Sequence, residues 1–505
     1  MNGLPASELR RRLRFGLNLR VSFPITQVSS GSSWGKVFGE HFPSPCRPEE
    51  GIVMGYKLIG LIGFAVALSL LVSSVSAAKP GSTASTTTFS NTALLLDSGS
   101  SEPAVTIGPD GTTVFTSLSW ITFGTNVWKT SFGGSPAFQG IPDNGIVSGQ
   151  LGGEDADVDI GSTGTLHFTS LIALVNPPFT AARFGVSAIT CGNADVSNNF
   201  ANCKAQIIDT TQADRPWITS DGVTVYISYH DSGSSTGIHV QRSDDDGFTW
   251  TRVADPITGQ GGLTAMSTFN NDQGPIVADP TTHSVFAVYA AGQGGHQKAT
   301  SANFNNIVVS RSIDKGLTWV PTIVSHAPVN NPLNNVFPAL AVDPASGKAY
   351  ASWSDAHTVW FAASSDHGSS WTSAVAVNSG SAATAVFPWV AAFAGKVDVV
   401  YYGTTASSKD DPAVVWNTYM AQTTDDGSHF VQTTVSAHAN HVGVICTFGT
   451  GCARGTRNLL DLFEVAINLQ SGKAAIIFTD DTLTTYTRSD GTVAPLPQVI
   501  VAWES

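Results

Sequence analysis

The chain is built from short stretches that alternate apolar with polar residues or run apolar throughout. Ile238-His239-Val240-Gln241 alternates, whereas Ile307-Val308-Val309-Ser310 and Val359-Trp360-Phe361 are almost wholly apolar. A period of two predicts a strand with one face in a core, and a short apolar run predicts a strand covered on both faces. A second set of strands is predicted upstream of these, at Thr224 to Tyr229, Val285 to Tyr289, Ala349 to Trp353 and Val397 to Tyr402. Each follows a proline-led apolar start: Arg215-Pro216-Trp217-Ile218, Gly274-Pro275-Ile276-Val277, Phe337-Pro338-Ala339-Leu340 and Phe387-Pro388-Trp389-Val390. The pattern is one unit of strands, repeated.

Each unit also carries the same turn, Ser/Thr-x-Asp-x-Gly-x-x-aromatic. The copies run Ser243 to Trp250, Ser312 to Trp319, Ser364 to Trp371 and, more weakly, Thr423 to Phe430, starting 69, 52 and 59 residues apart. The Asp side chain can accept hydrogen bonds from its own turn, and the Gly supplies a positive φ without steric cost. The aromatic residue opens the next strand and packs back over the hairpin. A hairpin signature at such a period marks repetition of one supersecondary unit. This motif is the Asp box, or bacterial neuraminidase repeat, and the stretch from about Thr86 to Ser505 resembles the sialidase-like propellers. The resemblance implies an all-β propeller of four-stranded blades. It also implies that the boxes are structural, on the face away from the ligand.

Two further units match without a good box. One starts at Glu102-Pro103-Ala104-Val105, with Thr113 to Leu118 as its second strand and a decayed turn near Ser131 to Ser135. The other starts at Asp155-Ala156-Asp157-Val158, with Thr165 to Leu171 second. Phe463 to Leu469, Lys473 to Thr479 and Gln498 to Trp503 give a last unit of three strands, and Thr92 to Leu96 is a lone strand before the first. That lone strand is expected to complete the last blade and close the ring, so that no sheet edge is exposed. The count is seven blades, with six as the alternative because the resemblance implies six.

The N-terminus reads as a targeting segment. Met54-Gly55-Tyr56-Lys57 precedes an uncharged apolar run from Leu58 to Val72 and a small-residue stretch ending at Ala77-Ala78. This is the layout of a secretory signal peptide over 54–78, with membrane anchoring as the lesser alternative. Residues 1–53 read as an extension or over-long start, 79–91 as a linker and 92–505 as the propeller. A Gly-x-Ser-x-Gly string at Gly31 to Gly35 lacks a preceding strand and following helix, so it is no hydrolase elbow.

Composition agrees with export. The chain has 25 basic and 38 acidic residues. Beyond Ala78 there remain 17 and 34, a formal −17. A surface this acidic does not seek nucleic acid or anionic lipid. Cys191, Cys203, Cys446 and Cys452 remain after cleavage, and local pairing into two short loops is favoured among the three possible connectivities.

Candidate chemistry follows from the resemblance. Loops entering each first strand, and those joining second to third strands, open on one face. A sialidase substrate carries a carboxylate clamped by three arginines, whose planar forks suit it. Arg183, Arg215 and Arg457 are the trio that this face offers, with Arg454 in reserve. A tyrosine activated by a glutamate is the nucleophile and an aspartate the acid/base. The resemblance thus implies Tyr402 (or Tyr229), Glu464 and Asp231. The family's Phe/Tyr-Arg-Ile-Pro motif is absent, and Asp214-Arg215-Pro216-Trp217 is its nearest relative. Asp155, Asp157 and Asp159 alternate along a strand and could hold a structural Ca²⁺, although the twelfth position of a calcium loop would be Leu166. No cofactor is required. The expectation is a secreted, monomeric, exo-acting glycoside hydrolase of extracellular glycans. The alternative is a non-catalytic propeller that binds carbohydrate or protein.

Overall fold

The computed structural model describes residues 87–119, 124–147, 150–175, 182–231, 237–257, 266–293, 304–328, 331–333 and 335–505. The proposed extension, signal peptide and most of the linker lie outside these residues. Strand β1 (Phe89–Leu94) precedes blade one, which consists of β2 (Ser101–Ile107), β3 (Thr112–Leu118), β4 (Thr125–Ser131) and β5 (Ala137–Gly140). Blade two has β6 (Gln150–Ile160), β7 (Leu166–Val175), β8 (Ala182–Cys191), the short helix α1 (Asn193–Val196) and β9 (Lys204–Asp209). Blade three has β10 (Ala213–Asp221), β11 (Thr224–Asp231), β12 (Ile238–Ser243) and β13 (Thr251–Arg252). Blade four has β14 (Met266–Asp279), β15 (Ser284–Gln293), β16 (Asn306–Ser312) and β17 (Val320–His326). Blade five has β18 (Ala339–Val342), β19 (Ala349–Ser354), β20 (Val359–Ser364) and β21 (Val375–Ala376). Blade six has β22 (Thr384–Phe393), β23 (Lys396–Thr404), β24 (Val415–Thr423) and β25 (Val431–Thr434), with β26 (His441–Val442) also on β24. Blade seven has β27 (Glu464–Ile467), β28 (Ala474–Thr487) and β29 (Val493–Glu504).

All sheets are antiparallel, those of blades one to six are meanders, and the first strands touch in the order β2, β6, β10, β14, β18, β22, β27 and back to β2. The molecule is a seven-bladed β-propeller. Its fourth strand in blade seven is β1, paired with β29 from Phe89↔Glu504 to Leu94↔Val499. The closing strand begins three residues earlier than the apolar pattern suggested, because Phe89 packs against the core.

The core lies between neighbouring sheets. Val114, Val127, Val158 and Phe168 fill the space between blades one and two, and Phe361, Val390, Val399 and Tyr401 fill that between blades five and six. Where the first strands converge, Trp217 packs on Phe337 and Trp389, and Tyr402 packs on Phe387 and Phe463.

A first strand has no hydrogen-bonded neighbour on its channel side, so its outward N–H groups need other acceptors. Side chains of the preceding blade supply several. Ile160 donates to Thr106 Oγ1 (3.0 Å), Ile218 to Asp157 Oδ2 (2.8 Å), Ala278 to Thr219 Oγ1 (3.2 Å) and Val105 to Glu464 Oε2 (2.9 Å).

The four repeated turns share one geometry. Asp314 Oδ1 accepts from Ser312 Oγ (2.8 Å) and Thr318 N (2.8 Å), while Gly316 N donates to Ser312 Oγ (2.8 Å). The Asp245, Asp366 and Asp425 turns repeat this pattern. The glycine is left-handed, and so is the residue before it: Asp246, Lys315, His367 and Asp426. Each of those four reaches the preceding blade, as in Asp246 with Thr165 and His367 with Asp279.

Candidate functional site

Several first strands are bulged near their start. The register shifts between Ser101 and Ala104, Glu154 and Ala156, Asp214 and Trp217, and Val386 and Trp389. The bulged residue is left-handed in each: Glu102, Asp155, Arg215 and Phe387. A bulge leaves its residue unpaired and re-aims its side chain. It therefore brings Glu102, Asp155 and Arg215 of three adjacent blades to one charged cluster. The segment leading into β27 adds Arg457 and Asp461.

Asp461 is the hub of this cluster. Its buried carboxylate accepts from Arg215 Nη2 (2.8 Å) and Arg457 Nε (2.9 Å), while its N–H donates to Glu102 Oε1 (2.9 Å). Arg457 Nη2 bonds the same carboxylate. Burial alone would raise the Asp461 pKa, but the two guanidinium groups outweigh it and hold it below the usual carboxylate range. Arg215 also stacks over Phe337, 4.2 Å from its centroid, and its Nη1 has no hydrogen-bond partner among the described residues.

Three carboxyl groups are pushed the other way. Glu102 is raised well above its usual value by burial and then by Asp155 and Asp461, and it hydrogen-bonds Asp155, itself raised by burial. Glu154, 8 % exposed, is raised to about 8 by burial, then by Asp155 and Asp214, against the opposing pull of Arg457 and Arg215. A carboxyl group that keeps its proton at neutral pH beside fixed guanidinium groups can act as a general acid.

The residues expected from sequence are placed as follows. Arg215 and Arg457 come together, joined through Asp461, while Arg183 is exposed on β8 opposite Leu174. Tyr402 is fully buried on β23, and its hydroxyl accepts from Thr479 N (3.0 Å). Its ring faces Phe463, whereas Glu464, the next residue, is buried toward blade one, where it caps Val105. Tyr229 is buried as well and bonds Asp209. Asp231 ends β11 opposite Ala213.

Asp155, Asp157 and Asp159 do not share one face. The bulge at Asp155 breaks the alternation and turns this side chain to Glu102. Asp157 instead caps Ile218 N, and Asp159 accepts from Ser220 Oγ (2.5 Å). Among the described residues no group of three or more His, Cys, Asp or Glu has a metal-holding arrangement. Cys191–Cys203 and Cys446–Cys452 are disulfide-bonded. Among the described residues no helix is long and apolar enough to cross a membrane.

Sequence reasoning missed Glu102, Glu154 and Asp461. A signal for the first was present, since Glu102-Pro103 occupies the same place as Arg215-Pro216 and Phe387-Pro388. The residue before that proline is the one the bulge turns out.

No family model matches the chain, and no curated protein matches it by sequence. Solved structures do match. A family 25 polysaccharide lyase, an ulvan lyase, is 11 % identical over 70 % of this chain and 88 % of its own, with a TM-score of 0.46. An α-L-arabinofuranosidase from Fusarium graminearum is 13 % identical over 66 % of this chain and 97 % of its own, TM-score 0.41. A sialidase from Trypanosoma rangeli is 11 % identical over 80 % of this chain and 55 % of its own, TM-score 0.38. At these identities and scores, residue roles do not transfer from any of the three.

Proposed function

We propose that the protein is a secreted glycoside hydrolase of extracellular glycans, acting at the charged cluster where the first strands begin. The observation that carries this reading is the cluster of Glu102, Asp155, Arg215, Arg457 and Asp461 gathered by the bulged first strands, next to which burial raises the nearly covered Glu154 to about 8. In the proposed reaction Glu154 protonates the leaving glycosidic oxygen. As that C–O bond breaks, a water attacks the anomeric carbon and gives its proton to Asp214, the second carboxylate within electrostatic reach of Glu154. Secretion accords with the two disulfides and with the signal-peptide layout of 54–78.

The sialidase-type, exo-acting version is the finer reading. It asks Arg215 and Arg457 to receive a substrate carboxylate, and that group would have to compete with Asp461. Tyr402 would have to leave the aromatic core to attack. The test is turnover of fluorogenic sialosides and a panel of other glycosides by the mature chain, with Glu154→Gln and Arg215→Ala alongside. Hydrolysis that Glu154→Gln abolishes is the expected result.

One observation favours a second reading, a non-catalytic glycan-binding propeller. Both arginines already share one buried carboxylate, that of Asp461. Glycan binding with no turnover of any glycoside would establish that reading instead.

A further inference from the structure

β28 and β29 continue past the body of blade seven as a hairpin, paired from Thr484↔Leu496 to Thr487↔Val493. Between this hairpin and the chain entering blade one lies a cavity of about 130 Å³. Arg457, Arg488, Tyr486, Asn458 and Ser100 supply its polar wall, and Leu496 lies on the apolar side.

Two observations here point to an anionic ligand. Arg488 makes one side-chain hydrogen bond among the described residues, a long one from Nε to Tyr486 Oη (3.4 Å), and its guanidinium lies 5.9 Å from that ring's centroid. It lines the cavity and is in no ion pair with a described carboxylate, although Asp490 at the hairpin tip feels its charge, so it has donors to spare. Ser100 is 3 % exposed, yet its hydroxyl has no hydrogen-bond partner. A buried hydroxyl without a partner in such a wall is a donor waiting for an acceptor. Arg457 brings a second guanidinium, held in place by Asp461.

We propose that this cavity binds the acid group of a sugar, a carboxylate or a sulfate, through Arg488, Arg457 and the Ser100 hydroxyl. The space suits one acid-bearing residue of a larger chain. Arg457 belongs both to this cavity and to the surroundings of Glu154, so a glycan anchored here runs on toward the proposed acid. The substrate class is then an acidic polysaccharide, and in that respect the proposal rests on the function proposed above.

The test is calorimetric titration of the full chain with polygalacturonate oligomers and their methyl esters, and with a sulfated galactan and its desulfated form. The expected result is binding of one acidic form and not of its neutral counterpart, and the pair that responds tells carboxylate from sulfate. Arg488→Ala should weaken that binding at least about tenfold, as loss of a charged hydrogen bond implies. Lys473→Ala, exposed at the other end of β28 from the hairpin, should change it little. If Arg488→Ala fails to fold by its melting curve, Arg488→Gln and Ser100→Ala carry the comparison. Equal binding of acidic and neutral forms, no binding of either, or an equal loss in Lys473→Ala overturns the proposal. Glu154→Gln separates the two readings, since it should bind like the wild type while losing turnover. Turnover retained in Glu154→Gln sinks the proposed acid and leaves the anion cavity standing.

Discussion

Carboxyl groups in this ring differ by what surrounds them rather than by type. Glu154 sits among carboxylates in a dry place and is raised to about 8, whereas Asp245, in an exposed turn rich in donors, is lowered to about 2. If Glu154 is the proton donor, turnover should hold below about pH 8 and fall above it, as the donor deprotonates. Glu154→Gln should then reduce kcat by roughly 10²–10⁴-fold without a matching rise in KM, as steady-state kinetics across pH would show. The raised groups also set stability. Asp157 moves from 3.8 to about 7 through burial, against the hydrogen bonds from Ile218 and Val158. Between those values the folded chain binds a proton that the unfolded chain has released, so stability declines as pH rises through that window. Glu154 extends the decline from its unfolded value of 4.5 to about 8. Urea unfolding should therefore show a more stable protein at about pH 5 than at about pH 8. Asp157→Asn should flatten that dependence; an unchanged slope would mean that Asp157 is ionised in the fold.

At the scale of the element, the repeated turn does two jobs that its sequence states unequally. The Asp, Ser and Gly positions follow from turn chemistry, and they were legible. The residue before the glycine is variable, yet in all four turns it is left-handed and ties its blade to the one before. Asp314→Ala should cost about 1 kcal/mol, because the turn is exposed and water replaces part of what is lost. Gly427→Ala should cost more, since φ is +88° and a Cβ would stand 2.6 Å from Phe361 of the preceding blade. Thermal melting of the two variants tests that order. The bulges show where reading by periodicity stops. Alternation along β6 puts Asp155, Asp157 and Asp159 on one face, but the inserted residue at Asp155 resets the count. Nothing local announces it, because Ala156 stands where the other bulged strands at Glu102, Arg215 and Phe387 carry a proline. The charged cluster was therefore only half visible: Arg215 and Arg457 were legible as loop arginines, but their shared partner Asp461 was not.

For the whole molecule, the decisive contact joins the two ends of the described chain. β29 would be an edge strand if β1 did not cover it, and its buried Val499, Val501 and Trp503 would lie beside a row of free backbone groups. The cover is fixed at more points than the ladder alone. Asn91 Nδ2 donates to Val435 O (3.0 Å), Ala437 N donates to Asn91 Oδ1 (3.2 Å), and Ser505 N donates to Thr88 O (2.9 Å). β1 therefore holds blades six and seven together as well as completing a sheet. A chain that starts at Asp97 would keep every other strand and lose only this clasp. It should melt at a lower temperature and self-associate through the bared edge of β29, which light scattering would detect. A synthetic peptide of residues 87–96 should bind it and restore both properties, because the edge it fills is already shaped by the other six blades. A truncated chain that stays monomeric and melts with the full one would show that the ring holds without its clasp, its blades locked by side-chain packing and the turn-to-blade ties alone.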